Sequence, residues 1–430
     1  MLSHSQAESI AFRDFRTAPM RAFHMSWLAF FLCFFAWFGS AALMGVIREE
    51  LELTKSQIGH IITGSVAITI IFRLLIGGLL ERYGPRRMYA ALLILCSLPV
   101  IAIAFTHSYE SFLTARIAIG AIGASFVISQ YHTTLMFSPR IVGTANAITA
   151  GWGNMGGGAT HFMMPLIFVG IMSLGFSESQ SWRLAMILVG LLCLIMGLLY
   201  YRFTQDTPEG DLIDLRREGR LPPPQKTSRS FSLALRDYRV WILALMYGLC
   251  FGLELTIDNI AALYFIDYFQ LDMRVAGFAA ASFGMMNLFS RALGGYLGDV
   301  FGRRLGLNGR VSWLTLVIFG EGISLIAFAQ MQSLGPAIGL MLVFSLFCQM
   351  ACGATYAVVP FIQSRALGPV AGLVGAGGNV GAIATGLLFG GSMEWPTALL
   401  YLGIATTLLS ALALLVRSKV PHHVPEAALA

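Results

Sequence analysis

An all-α membrane protein of twelve spanning helices, arranged as two similar six-helix halves, is the fold class this sequence predicts. Three observations predict it. Of the 430 residues, 57% are hydrophobic and only 12% charged, half the charged content of about 25% usual in soluble domains. Apolar runs of about 20 residues, enough to span a bilayer as a helix, recur along nearly the whole chain. Two short motifs, described below, each occur twice at similar offsets. The mean hydropathy is +0.73.

The first 25 residues, beginning "MLSHSQAESIAFRDFRTAP", are polar. The apolar run that follows is long enough to span and lacks a small-residue cleavage site, so it is expected to stay as the first helix rather than leave as a signal peptide. Spans are expected at 26–47, 56–80, 87–106, 110–136, 142–173, 181–202, 241–270, 274–298, 311–331, 335–362, 368–392 and 395–417. The fifth is long and split by "GWGNMGGG". The longest polar gap, 203–240, contains "LPPPQ" and mixed charges, which reads as a linker with one surface helix. It separates a bundle at 26–202 from a bundle at 241–417, and 418–430 remains as a tail. With the N-terminus inside, 21 of the 28 lysines and arginines fall on the same side as both termini. Only Arg48, Lys55, Arg183 and Arg274 face the other side. That asymmetry predicts cytoplasmic termini in a multi-pass plasma or inner membrane protein. The net charge of +6 then reflects topology and is no nucleic-acid footprint. The six cysteines (Cys33, Cys96, Cys193, Cys250, Cys348, Cys352) sit in apolar runs without metal-ligand spacing, so they read as small core residues. No metal and no cofactor are expected.

Three arginines, Arg73, Arg116 and Arg291, lie within spans. A guanidinium keeps its charge, and burying it is costly without a partner. "FRLLIGGLLERYGPRR" (72–87) matches "SRALGGYLGDVFGRR" (290–304). Arg73, Gly77 and Glu81 have the same spacing as Arg291, Gly295 and Asp299, at an offset of 218, in spans two and eight. A second pair agrees: "AGWGNMGGGA" (150–159) and "VGAGGNVGAI" (374–383) align Asn154 with Asn379 at an offset of 225, in spans five and eleven. A duplicated six-helix unit follows. Parallel repeats of this kind mark the major facilitator fold, whose substrate site lies at the midplane between the halves.

Arg73 lies eight residues before Glu81, about 12 Å into the membrane, close to its centre about 15 Å down. Arg291 has the same depth in the other half. The pseudo-two-fold brings two permanent cations to opposite walls of one cavity, where a small planar anion suits the guanidinium fork. The competing reading pairs each arginine with an acid of its own half, and Glu254, Asp258 and Glu321 are available. Arg116, near the outer end of span four, reads as structural or gating. The glycine motifs, Gly151, Gly153 and Gly156 with Gly377, Gly378 and Gly381, let helix backbones approach closely and bend. Asn154 and Asn379 either donate to the substrate or cross-link helices. The loop motif is Gly77, Glu81 and Arg82 in the first half, and Gly295, Asp299 and Arg303 in the second.

The two asparagine-glycine motifs with the two in-span arginines resemble the nitrate/nitrite porter family of the major facilitator superfamily. "QYHTTLMF" and "CFGLELTIDN" resemble its plant and cyanobacterial high-affinity branch. The resemblance implies nitrate clamped by Arg73 and Arg291, with Phe126 packing over the planar anion. It further implies Tyr247 and Phe251 from span seven, Asn154 and Asn379 from the glycine motifs, and Tyr356 as a weaker contact. Plant members often need a single-span partner protein; the short C-terminus here, "VRSKVPHHVPEAALA", predicts that none is required, and membership of a superfamily that mostly acts as monomers implies a monomer.

Coupling divides the remaining readings. Glu254 and Asp258 lie four residues apart on span seven and therefore share a helix face. Intramembrane acids are functional candidates, so these two are the expected proton carriers, ahead of His132 and His161. Proton-coupled uptake of nitrate, nitrite or both is the leading expectation. Nitrate/nitrite antiport, transport of another small anion such as formate, and a non-transporting nitrate receptor are the alternatives. No span offers a catalytic constellation, so the chain is expected not to be an enzyme.

Overall fold

The computed structural model describes residues 6–223, 227–271, 273–389 and 393–417. The expected tail at 418–430 and the expected span residues 390–392 lie outside them. Ten helices are long and apolar enough to cross a membrane, and the pair Val142–His161 and Met163–Ser173, bent by 42°, supplies an eleventh. The longest, Ala279–Ala329, has 51 residues, about 76 Å of helix against a bilayer core of about 30 Å. It is two spans, because the chain leaves helical geometry at Gly306 (φ 59°), a left-handed conformation that glycine adopts without steric cost. Twelve spans result, as the sequence predicts.

The first half contains α1 (Ala18–Ala42), α2 (Lys55–Tyr83), α3 (Pro85–Ala102), α4 (Tyr109–Met136), α5 (Val142–Ser173) and α6 (Glu178–Phe203). The second half begins with α7 (Tyr238–Phe269). Helix α8 starts as Met273–Met285, passes through a 3-10 turn at Met286–Leu288 and enters Ser290–Ala329; the part beyond Gly306 is α9. Then come α10 (Leu334–Val358), α11 (Leu367–Phe389) and α12 (Trp395–Leu409). Two expectations change. Helix α1 starts at Ala18 rather than at 26, with Pro19 in its first turn, where a missing N–H is harmless. The linker holds two short helices, Leu212–Arg217 and Thr227–Arg236, rather than one.

Local chemistry fixes the helix ends. Thr54 with Gln57 and Ser177 with Gln180 form reciprocal capping boxes at the starts of α2 and α6, each satisfying two orphan N–H groups. The turn from α2 to α3 needs glycine at 84 (φ 78°), where a Cβ would lie 2.0 Å from Asp206 Oδ2. Asp206, just after α6, accepts from the N–H of Arg86 (2.8 Å) and of Leu212 (3.0 Å). Burial nevertheless raises its pKa to about 6.

Within the halves α1 packs on α5, α3 on α6, α7 on α11 and α9 on α12. Between them, α2 packs on α11 and α5 on α8, while α4 meets α11 and α10 meets α5. The pseudo-two-fold relates these pairs. Backbones come closest at the loop-motif glycines: a Cβ on Gly77 would lie 2.6 Å from the Gly368 oxygen, and one on Gly295 would lie 2.3 Å from the Gly143 oxygen. Beside them, Asp299 accepts from the N–H of Gly143 (3.1 Å) and from Thr144 Oγ1 (2.6 Å), and pairs with Arg310. It thereby caps α5 from the opposite half. Glu81 faces the N–H of Gly368 and the Ser230 side chain, the equivalent cap on α11. All these approaches lie toward the side where α1 begins and α2 ends.

Candidate anion site

Arg73 on α2 and Arg291 on α8 are 0% and 1% exposed. Arg73 Nε donates to the Gly123 oxygen (3.2 Å), which belongs to the 3-10 turn Ala121–Ala124 inside α4. Its Nη1 donates across the molecule to the Gly375 oxygen of α11, and its Nη2 has no partner. Arg291 also reaches across: the Asn154 amide of α5 lies against its guanidinium, and with the amide oxygen turned toward it accepts from both Nη atoms (2.5 and 2.9 Å). Each arginine therefore bridges the two halves.

Aromatic rings separate and cover the cations. The Phe251 ring has the Arg73 guanidinium carbon 5.4 Å and the Arg291 guanidinium carbon 5.9 Å from its centroid. Phe126 lies 5.2 Å from Arg73. Tyr247 and Phe251 are stacked at 5.0 Å and 4°, as their i,i+4 spacing allows. Phe126 is nearly parallel to both, at 13°. Tyr356 meets Phe126 and Tyr247 edge-on at 4.7 and 5.0 Å, and its hydroxyl donates to the Ala371 oxygen. Gly378 makes room for this stack: a Cβ there would lie 2.7 Å from both Tyr247 Cδ1 and Phe251 Cδ1.

Several polar atoms in this buried region have no partner among the described residues: Arg73 Nη2, Arg291 Nε, the Tyr247 hydroxyl and both amide atoms of Asn379. A buried unsatisfied group costs about 1–3 kcal/mol. Most of these atoms are donors, so the arrangement favours a small acceptor-rich anion.

The Major Facilitator Superfamily model matches residues 26–361. The chain is 40% identical to high affinity nitrate transporter 2.5 of Arabidopsis thaliana, over 90% of this chain and 77% of that one. It is 40% identical to nitrate transporter 2.2 of Chlamydomonas reinhardtii, over 95% of this chain and 81% of that one. The chain belongs to the nitrate/nitrite porter family of the major facilitator superfamily. Among solved structures, the proton:xylose symporter XylE superimposes with a TM-score of 0.67 at 15% identity, covering 93% of this chain and 94% of that one, which shows the shared fold. Porters of this family are multi-pass membrane transporters and not enzymes.

In this porter the sequence expectation of two arginines lacking acid partners divides. Among the described residues no ion pair involves Arg73, whereas Arg291 pairs with Glu254 of α7, itself 3% exposed. The alternative reading, an acid from the same half, describes Arg291. Glu254 also accepts from Asn287 Nδ2 (2.6 Å) and the Cys352 thiol (3.3 Å). Asp258, one turn further, keeps surface open to solvent and has Glu254 and Arg291 as its charged neighbours. His132 bonds Tyr200 (2.6 Å) and the Gln205 oxygen (2.7 Å), a satisfied core histidine. Arg116 is buried and donates to the Trp37 oxygen (2.5 Å).

The glycine motifs pack mainly inside each half. Gly153 and Gly156 lie against Phe30 and Phe31 of α1; Gly377 and Gly381 lie against Ala244 and Gly248 of α7. Gly151 faces Asn287 and Arg291 of the other half. The bend in α5 falls at 161–163, after the motif. In the loop motif, the Arg82 guanidinium covers Tyr83 (5.2 Å) and Arg303 is exposed. Sequence reasoning missed Asn287, Cys352 and the carbonyls of Gly123 and Gly375. Asn287 stands four residues before Arg291, so helical periodicity alone pointed to it.

Proposed function

We propose that the protein is a secondary active transporter of nitrate, nitrite or both, clamping the anion between Arg73 and Arg291 and exposing it alternately to the two sides as the halves rock. One observation carries this reading: two buried guanidiniums from opposite halves meet on the Phe251 ring beside unpartnered donors. Nitrate is planar, and its oxygens match a guanidinium fork. Phe126 and Tyr247 cover its face, Asn154 and Asn379 contribute polar edges, and Tyr356 props the rings. The names of the relatives support the choice of anion. The halves correspond to 26–202 and 241–417, and the basic side with both termini faces the cytoplasm.

Uptake against a negative interior costs about 2.3 kcal/mol per charge per 100 mV, so the cycle needs protons or a counter-anion. Glu254 favours protons. Its carboxylate occupies Arg291 as a planar, internal stand-in for the substrate. Nitrate arriving at Arg291 releases the carboxylate, and a proton neutralises it. Asp258, one turn further along α7, passes that proton inward. The test is uptake into proteoliposomes with an inward proton gradient and empty lumen, and separately with nitrite inside and no gradient. Accumulation in the first arrangement, lost in Glu254→Gln, is expected. Uptake only in the second establishes exchange and removes Glu254 from coupling. Failure of both with folded protein overturns nitrate as the substrate.

A further inference from the structure

Glu321, on α9, takes no part in the anion site. It is 0% exposed, and neither carboxyl oxygen has a hydrogen-bond partner. The groups facing it are Cys250 and Glu254 from α7 and the Cys348 thiol from α10. On the α12 side, Gly403 and Thr407 press on the neighbouring Gly322, where a Cβ would lie 2.2 Å from Thr407 Oγ1, and they supply no titratable group. Faced by two cysteines and a second carboxyl, with no cation beside it among the described residues, a carboxylate there is costly, whereas the neutral acid is tolerated. The second half thus holds two buried carboxyls in opposite states, Glu254 charged against Arg291 and Glu321 carrying a proton.

A continuous set of polar groups joins them. The Cys348 thiol beside Glu321 donates to the Cys250 oxygen (3.3 Å), and Cys352, one turn along α10, donates to Glu254 (3.3 Å). Like charges raise each other's affinity for protons. Neutralising Glu254 on arrival of the anion therefore eases release of the proton held by Glu321.

We propose that Glu321 is a second proton-carrying site of the transport cycle, working with Glu254 across the Cys348–Cys250–Cys352 contact. The proposal rests on the proton-coupled reading above and extends it to stoichiometry. One proton per nitrate makes each cycle electrically neutral, so the membrane potential does no work. A second proton, taken up by Glu321 from the outer side and released on the basic side, gives each cycle a net inward positive charge. No bond other than O–H is made or broken.

The experiment measures the reversal potential of nitrate flux in proteoliposomes under imposed proton and potassium-diffusion gradients. The wild type is expected to carry net charge. Glu321→Gln is expected to retain uptake driven by the proton gradient but lose about one proton per nitrate, and with it the response to voltage. Glu321→Asp restores the wild-type ratio. An unchanged ratio in Glu321→Gln overturns the proposal and leaves Glu321 as structure. If the glutamine variant fails to exchange nitrate for nitrate, infrared spectroscopy of the wild type decides: a free-carboxyl carbonyl band at neutral pH is expected, and its absence overturns the proposal. A wild type indifferent to proton gradients is a separate outcome, since it removes the proton-coupled reading itself.

Discussion

Tyr247 offers the most local test of the anion site. Its hydroxyl is buried without a partner while its ring is fixed by Phe251, Phe126 and Tyr356, so removing the oxygen alters one contact and little packing. A hydrogen bond to a charged group is worth about 1.5–3 kcal/mol, and about 1.4 kcal/mol is tenfold in affinity. Tyr247→Phe is expected to weaken nitrate binding about 10- to 100-fold, read from nitrate-dependent thermal protection; an unchanged affinity shows that the hydroxyl does not meet the anion. Arg73→Lys and Arg291→Lys are each expected to abolish uptake, because lysine lacks the planar fork. Uptake persisting in Arg291→Lys rules out two-point recognition there. The two arginines were legible because they recur at one offset within apolar runs. The partner of Arg291 was legible only as one of three acids, Glu254, Asp258 and Glu321, because sequence spacing within one helix says nothing about which face of another helix it meets. The Gly123 carbonyl was invisible for a different reason, as the backbone carries no sequence signal.

Helix contacts divide into fixed and mobile sets. The asparagine-glycine motifs bind α5 to α1 and α11 to α7, inside the halves, whereas Gly77 and Gly295 mark where α2 meets α11 and α8 meets α5. The rocking proposed above breaks the second set and keeps the first. Gly295→Ala places a methyl group against the Gly143 backbone, which cannot yield as a flexible side chain would. The variant is expected to hold the basic side apart, lengthening the distance between spin labels on the ends of α5 and α8 measured by pulsed electron paramagnetic resonance; an unchanged distance distribution counts against this gate. The sequence announced both glycines as loop-motif positions and missed their contact role. It also anticipated all twelve spans from apolar length. It misplaced the start of α1, since Arg21 and His24 lie outside any apolar run although the helix continues through them.

Across the whole molecule, Asp206 ties the end of α6 to the start of α3 and to the linker helix Leu212–Arg217. Its folded pKa of about 6 lies above the ordinary 3.8, so between those values the folded chain holds a proton that the unfolded chain has released. Stability from this group is therefore greatest at the acid end and declines as pH rises through that window, levelling off above about pH 6. Asp206→Asn is expected to flatten that part of the pH dependence of the melting temperature; a slope equal to the wild type assigns the dependence elsewhere. The six-plus-six layout was legible from repeats and the polar gap, whereas the way the halves lean on one another depends on backbone approach distances that no residue spacing encodes. The unequal dressing of the two central arginines has an electrical consequence. Two guanidiniums face one carboxylate, so in the cycle proposed above the loaded form, with both carboxyls protonated, carries one positive charge through the membrane field, whereas the empty form, with both ionised, carries none. An inside-negative voltage then draws the loaded form inward, placing the voltage-sensitive step on the limb that carries substrate and leaving the return limb indifferent to voltage.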